Sequence, residues 1–165
     1  MEASAPAQRS DREREAIERA GGWLARRAHS RREIQERLTR AGFDEIVVDS
    51  TLARLHELKL VDDLEFATEW VGQRSSGKGL GAERLRRELS AKGVDPELIE
   101  TALAEVEHED LERATELAAR NLRKVIHFPL PKQAARLQSL LARRGFSSEV
   151  IEAAVRAVLP PEGWD

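Results

Sequence analysis

The sequence contains no cysteine and no tyrosine among its 165 residues, and aromatic residues amount to only 4%. Disulfide bonds and thiolate metal sites are therefore excluded, which suits a reducing compartment. No apolar run approaches the ~18–20 residues that cross a bilayer. The N-terminal stretch lacks the basic segment and the apolar segment of a signal peptide. We therefore expect a monomeric cytoplasmic protein that does not span a membrane.

Charge is abundant but nearly balanced. There are 27 Lys and Arg residues against 30 Asp and Glu, so the net charge is −3, and charged residues make up 35% of the chain. Hydrophobic residues still reach 41%, which is too many for a disordered polyelectrolyte. Ala, Leu, Glu and Arg dominate, and all four are good helix formers. The composition predicts an all-α fold and excludes an all-β one.

A similar segment occurs three times, at intervals of about 50 residues, as in helical repeat arrays. The copies begin at Gly42, Gly93 and Gly145 and read GFDEIVVDSTLARL, GVDPELIETALAEV and GFSSEVIEAAVRAV. An isoleucine or leucine stands eight residues before each glycine, and a leucine stands four before it; these pairs are Ile34 and Leu38, Leu85 and Leu89, and Leu137 and Leu141. The pattern predicts an elongated array of three tandem three-helix repeats.

The repeats predict the domain organisation. We expect a disordered tail over 1–10, repeats over 11–62, 63–109 and 110–160, and a C-terminal tail over 161–165. The predicted helices are 11–27, 30–41 and 45–58; 63–74, 81–92 and 96–107; and 110–125, 131–144 and 148–158.

The junction between the second and third helices of each repeat has a physical logic. Each glycine occupies the position after the helix, where the chain turns through the left-handed region and a Cβ is unfavourable. An apolar residue follows, and then an N-cap residue: Asp44, Asp95 or Ser147. The acidic pairs Asp62–Asp63 and Glu109–Asp110 are predicted to cap the helices that follow them.

Basic charge gathers around each second helix and acidic charge around the third. One interpretation is a solvated surface laced with ion pairs. The other is a basic stripe that faces a polyanion or an acidic protein groove. The candidate contact residues are Arg31, Arg32, Arg37, Lys78, Arg84, Arg86, Arg87, Arg136, Arg143 and Arg144. We expect that reversing Arg86 and Arg87 to Glu spares the fold, because surface changes usually cost within about ±0.5 kcal/mol.

One motif imitates a nucleotide-binding loop. The run from Gly72 to Lys78 has the spacing GxxxxGK, but Gly79 stands where Ser or Thr binds magnesium, and a helix precedes the loop where a strand is needed. We therefore predict no phosphate loop and interpret Gly77–Gly81 as a hinge, from which Lys78 could touch a phosphate. The four histidines have no metal-ligand spacing, so we predict no metal, no cofactor and no catalytic site.

Several ordered pieces resemble the RecX family of bacterial RecA regulators. They are His29-Ser30 with Glu33 and Leu38, the run from Leu60 to Ala67, the run from Gly79 to Gly93, and the run from Leu141 to Ser147. With the three-repeat plan, the resemblance covers about residues 11–160. Each piece is weak alone, but their order and spacing are specific.

The resemblance implies a non-enzymatic modulator. Proteins of this family lie in the groove of the RecA–DNA filament and damp ATP hydrolysis, strand exchange and the coprotease activity behind the SOS response. The implied partners are the RecA filament and, weakly or within the filament, single- or double-stranded DNA. Two other functions stay open: a DNA-binding protein of the helix-turn-helix kind, and a structural helical adaptor.

Overall fold

A computed structural model describes residues 5–160 of the chain. Within that range the chain forms eight α-helices and no β-strand, which confirms the all-α prediction. The helices are α1 (Ala5–Leu24), α2 (Arg31–Arg40), α3 (Glu45–Glu57), α4 (Asp63–Lys78), α5 (Ala82–Ala91), α6 (Pro96–Val125), α7 (Leu130–Arg144) and α8 (Ser148–Val158).

The prediction of separate helices over 96–107 and 110–125 is wrong. The two are fused into α6, which runs for 30 residues without a break. The linking residues, Glu107-His-Glu-Asp110, include neither Gly nor Pro, and good helix formers flank them. The repeat boundary proposed at 109 and 110 therefore lies inside a helix.

Other helix limits differ by a few residues. Helix α1 begins at Ala5 and ends at Leu24, so residues 5–10 are helical where a disordered tail was predicted. Helix α4 continues to Lys78, which places Gly77 inside the helix and shortens the proposed hinge. Residues 1–4 and 161–165, which belong to the two predicted tails, lie outside the described residues.

The chain folds into two compact units. The first runs to Ala67 and includes Leu89–Ile99, and the second comprises Thr68–Glu88 and the chain from Glu100 onward. The division falls within α4, α5 and α6, so the second repeat contributes to both units.

The periodic leucines and isoleucines are buried, as predicted. In the first unit, Ile34 and Leu38 of α2 pack in one core with residues of α1 and α3, chiefly Ala16, Ala20, Val47 and Leu52. In the second unit, Leu137 and Leu141 of α7 pack with residues of α6 and α8, chiefly Ala114, Ala118, Ala154 and Val155. Alanines on the opposing helices let the backbones approach closely, because they add little side-chain bulk.

All three glycine junctions adopt the predicted left-handed turn, with φ of 89° at Gly42, 74° at Gly93 and 84° at Gly145. Each forms the two bonds of a Schellman motif. At the first, the N–H of Phe43 donates to the carbonyl of Leu38 (3.2 Å), and the N–H of Gly42 donates to that of Thr39 (3.0 Å). The same pair of bonds recurs at Gly93 and Gly145, which explains why these positions repeat in the sequence.

Of the three aspartates that were predicted to cap the following helices, one does so and two cap other helices. Asp62 does cap α4, since it accepts from the N–H of Glu65 (3.0 Å). Asp63 instead accepts from the N–H of Arg31 (2.8 Å), and Asp110 accepts from the N–H of Ala82 (2.9 Å). Each therefore caps the second helix of the preceding repeat. The two aspartates occupy matching positions, because each is the first residue of a similar segment, DLEFATEW over 63–70 and DLERATEL over 110–117. Burial raises the pKa of both carboxyl groups, although the backbone hydrogen bonds oppose that rise.

The start of α2 is tied down by a capping box. Ser30 accepts from the N–H of Glu33, and the Glu33 carboxylate accepts from the N–H of Ser30 (3.1 Å). The Ser30 hydroxyl also donates to the carbonyl of Lys92 (2.7 Å), whose ammonium reaches Glu33 at 2.6 Å. These bonds join α2 to the residue just before the Gly93 turn.

Candidate functional site: basic surfaces of the two units

In the first unit, the basic side chains of α2 line a shallow groove of about 530 Å³, which we call the α2 groove. Arg31 and Arg32 lie there with Arg40, and Glu36 and Asp63 add acidic groups to the same groove. Arg32 pairs with Glu36 at 3.1 Å, and Arg40 approaches the same carboxylate at 3.6 Å. The groove is thus cationic but partly neutralised by its own carboxylates.

Arg37, another candidate on α2, is exposed but forms contacts within the fold. Its guanidinium lies 4.8 Å from the centre of the Trp23 ring and donates to Nε2 of the buried His29 (2.9 Å). The Nδ1–H of His29 donates to the carbonyl of Arg27 (3.0 Å), so the ring is neutral in this arrangement. Burial, assisted by nearby Arg27, lowers the pKa of His29. Arg37 is therefore committed within the fold.

Arg86 on α5 is also committed, which contradicts the expectation that it lies free on the surface. Its guanidinium binds Glu83 (2.7 Å), Glu100 (2.7 Å) and Glu107 (3.4 Å). The hydrogen bond with Glu100 raises the pKa of Arg86, and the same bond lowers the pKa of Glu100. The structure therefore contradicts the premise on which tolerance of the reversal was predicted. Reversal of Arg86 to Glu would bring four carboxylates together, and we expect it to destabilise the fold.

The other two candidate residues of α5, Arg84 and Arg87, differ in how many contacts their side chains form within the fold. Arg84 pairs with Glu88 (3.3 Å) and donates to the carbonyl of Arg143 (3.2 Å). Arg87 is exposed, and only its Nε is engaged, by the carbonyl of Glu83 (3.3 Å). Arg87 is therefore the cation of α5 most accessible to a partner.

The second unit contains a basic cleft of about 500 Å³, which we call the α6 cleft. One face of α6 lines the cleft. The lining residues of this helix, at the spacing of a helical face, are 113, 116, 117, 120, 121 and 124. Its cationic residues are Lys78, Arg113, Arg120, Lys124 and Arg144, and Glu116 is its acidic residue. The structure thus brings together two candidates, Lys78 and Arg144, with three basic residues that the sequence analysis missed.

Hydrogen bonds to the backbone hold two of these cations in place. Arg144 donates to the carbonyl of Lys78 (2.7 Å). Arg113 donates to the carbonyls of Ser75 (2.9 Å) and Leu80 (2.7 Å) and pairs with Asp110 (2.8 Å). Both guanidinium groups therefore join the end of α4 to the rest of the second unit.

Arg136 and Arg143 lie in a smaller adjoining depression of about 380 Å³. Lys124 lines both hollows, so the basic surface is continuous between them. The Arg136 guanidinium lies 4.2 Å from the centre of the Phe128 ring, which orients its charge.

No cluster of acidic and histidine side chains that could hold a metal ion occurs between residues 5 and 160. Over the same stretch, no helix has the length and hydrophobicity needed to span a membrane.

Comparison with known proteins identifies the repeats. Family models match residues 16–55 as the RecX first three-helix domain, 62–103 as the RecX second three-helix domain and 108–155 as the RecX third three-helix domain. The three matches follow one another along the chain in the order of their names. They confirm the three-repeat plan.

Individual relatives agree with the family models. The regulatory protein RecX of Streptomyces coelicolor is 36% identical over 137 residues, which cover 82% of this chain and 73% of the relative. That of Mycobacterium leprae is 35% identical over 155 residues, covering 93% and 91%. The crystal structure of RecX from Lactobacillus salivarius has a similar fold, with a TM-score of 0.82 at 20% identity over 90% of this chain and 97% of that one. The chain belongs to the RecX family of regulatory proteins.

Proposed function

We propose that this chain is a non-enzymatic inhibitor of the RecA recombinase. It binds in the groove of the RecA–DNA filament and damps ATP hydrolysis, strand exchange and coprotease activity. The observation that carries the proposal is the ordered match of all three RecX domains along the chain. The exposed cations of the two units support it, since they suit an acidic protein surface or DNA within the filament.

Contacts in the filament would be distributed over several places. The α2 groove and the α6 cleft belong to different compact units, so each can contribute a separate weak contact. Linked weak contacts bind far more tightly together than singly when they can be engaged at the same time. A shallow, partly neutralised groove such as that of α2 suits this mode better than a single deep site.

The helix-turn-helix alternative is disfavoured by charge. In such proteins, the helix after the turn enters the major groove and approaches phosphates. Here the helix after the Gly93 turn begins with Glu97 and Glu100 and continues with Glu105 and Glu107. Arg86 offsets part of the charge of Glu100 and Glu107, but residues 96–107 contain no basic side chain of their own, so this stretch would still be repelled by DNA.

The test is the DNA-dependent ATPase activity of RecA on single-stranded DNA, titrated with this chain. We expect a concentration-dependent fall in ATP turnover. Arg87→Glu should need several-fold more protein for the same effect, because an exposed contact cation becomes repulsive. Glu105→Lys, the opposite reversal at another exposed position, is the matched control and should inhibit like the wild type. Unchanged ATP turnover at every wild-type concentration would favour the adaptor function instead.

A further inference from the structure

The α6 cleft has features that RecA binding does not require. Five cationic side chains and one carboxylate surround a space of about 500 Å³, which is within the usual size of small-ligand sites. Within the described part of the chain, no carboxylate forms an ion pair with Lys78, Arg120 or Lys124. Among the described residues, the only carboxylate that lines the cleft is that of Glu116, so the cleft has an excess of positive charge.

The cleft is also preorganised. Arg144 and Arg113 are fixed by the backbone carbonyls of Lys78, Ser75 and Leu80 at 2.7–2.9 Å. Arg120 and Lys124 lie one helical turn apart on the rigid face of α6. Cations held in position lose little freedom when an anion binds, which favours affinity.

The end of α4 lies beside these cations. Gly77, Lys78 and Gly79 line the cleft, and Gly79 has a φ of 62°. They form the end of the segment whose spacing imitates a phosphate loop, although here the segment is helical up to Lys78. A Cβ on Gly77 would meet nothing within 4 Å, so a ligand can approach the backbone there, whereas the guanidinium of Arg144 lies beside Gly79. The Lys78 ammonium is a flexible donor for an anionic oxygen.

We propose that the α6 cleft binds the polyphosphate chain of a free nucleotide without hydrolysing it. A triphosphate is short enough for the cleft and has several charges within a few ångströms, which matches cations grouped in one hollow. Arginine donors suit phosphate oxygens, and lysine adds a point charge. This site does not depend on the proposed action on RecA, and it can be tested on the chain alone.

The experiment is isothermal titration calorimetry of the whole chain with ATP and, separately, with inorganic tripolyphosphate, at about 0.15 M salt. We expect both ligands to bind at one site per chain, since the phosphate chain carries the recognition. Lys124→Glu and Arg120→Glu should each weaken binding about tenfold or more, because a charge-assisted contact becomes a repulsion.

Arg123→Glu is the matched control. Arg123 is an exposed neighbour on the same helix, has the same charge change, and does not line the cleft. We expect it to change affinity by roughly twofold at most, through long-range charge alone. Circular dichroism checks that all three variants retain the fold.

Three results would overturn the proposal. One is the absence of binding for both phosphate ligands. Another is equal weakening in Arg123→Glu and Lys124→Glu, which would show general attraction to a basic surface. The last is binding of a single-stranded oligonucleotide through the same residues when neither short ligand binds, which would make the cleft a nucleic-acid groove.

Discussion

Arg86 and Arg87 are neighbours in sequence with the same charge, yet their surroundings differ. The Arg86 guanidinium contacts three carboxylates, whereas Arg87 is exposed and bonds through Nε to a backbone carbonyl. Their different roles follow from the direction in which each leaves α5. Arg86 is on the side of Glu100 and Glu107 of α6.

This difference predicts unequal effects on stability. Arg86→Glu should lower the free energy of unfolding by about 1–2 kcal/mol, allowing for solvent screening of partly exposed partners. Arg87→Glu should change it by less than about 0.5 kcal/mol. Urea denaturation followed by circular dichroism measures both. Equal midpoints for the two variants would show that the Arg86 network adds no stability, whereas partial recovery in Arg86→Glu combined with Glu100→Arg would support it.

Because of Glu33, the free energy of unfolding depends on pH in the acidic range. Burial alone would raise its pKa, but hydrogen bonds from Lys92, from the N–H of Ser30 and from Arg27 outweigh burial and lower the pKa of Glu33 to about 2. Because this pKa is lower in the folded chain than in the unfolded one, the ionised group stabilises the fold above about pH 4.5. That contribution is lost as the pH falls from about 4.5 to about 2.

We predict that the wild type and Glu33→Gln differ in their free energy of unfolding, and that this difference depends on pH. At neutral pH the variant should be less stable by up to about 2 kcal/mol, because the charge-assisted bonds are gone. The gap should narrow as the pH falls below about 4.5. Urea midpoints across this range measure it, and the subtraction removes the opposite contribution of Asp110. The contribution of Asp63 cancels only in part, because the charge of Glu33 helps to raise the pKa of Asp63. A gap that stays constant with pH would contradict the assigned role of the carboxylate.

The three glycine turns share a backbone conformation but not an environment. A Cβ on Gly42 would meet nothing within 4 Å, whereas a Cβ on Gly145 would overlap the backbone N of Arg84 at 2.8 Å. Gly93 is similarly close to the side chain of Arg32. At Gly93 and Gly145, both the left-handed backbone and the close neighbour therefore favour glycine, whereas at Gly42 only the left-handed backbone does.

Substitution by alanine separates these reasons. Gly42→Ala should cost about 1 kcal/mol of stability, from left-handed backbone strain alone. Gly145→Ala should cost about 2–3 kcal/mol, because α5 must also move away from the new methyl group. Thermal unfolding of the two variants measures the difference. Equal losses would mean that the close approach of α5 to the Gly145 turn adds nothing.

The sequence predicted correctly those features that depend on neighbouring residues along the chain. The leucine and isoleucine positions and the glycine turns depend on residues within one or two helical turns, so periodicity alone reveals them. Of the three carboxylate partners of Arg86, Glu83 lies at a local helical spacing, but Glu100 and Glu107 lie 14 and 21 residues away, and no pattern along the chain pairs them with Arg86. The roles of Asp63 and Asp110 were missed for the same reason, since each caps a helix about 30 residues earlier.

The α6 cleft was missed because its walls come from separate parts of the chain. The predicted helix over 110–125 already contained Arg113, Arg120 and Lys124, but nothing in the sequence showed that their face packs beside the end of α4. Their spacing of seven and then four residues was visible in the sequence. The contribution of Lys78 and Arg144 to the same cleft depended on tertiary packing, which that spacing does not indicate.

Binding to the RecA filament is tested most directly by titrating the labelled chain with a filament assembled on single-stranded DNA with a non-hydrolysable ATP analogue. Fluorescence anisotropy compares this filament with the same DNA free of RecA. We predict that the filament binds at least about tenfold more tightly than free DNA, because protein contacts add to those with phosphate. If the chain binds the filament and free DNA with equal affinity, and that affinity falls steeply with salt, the chain is a DNA-binding protein and does not recognise RecA.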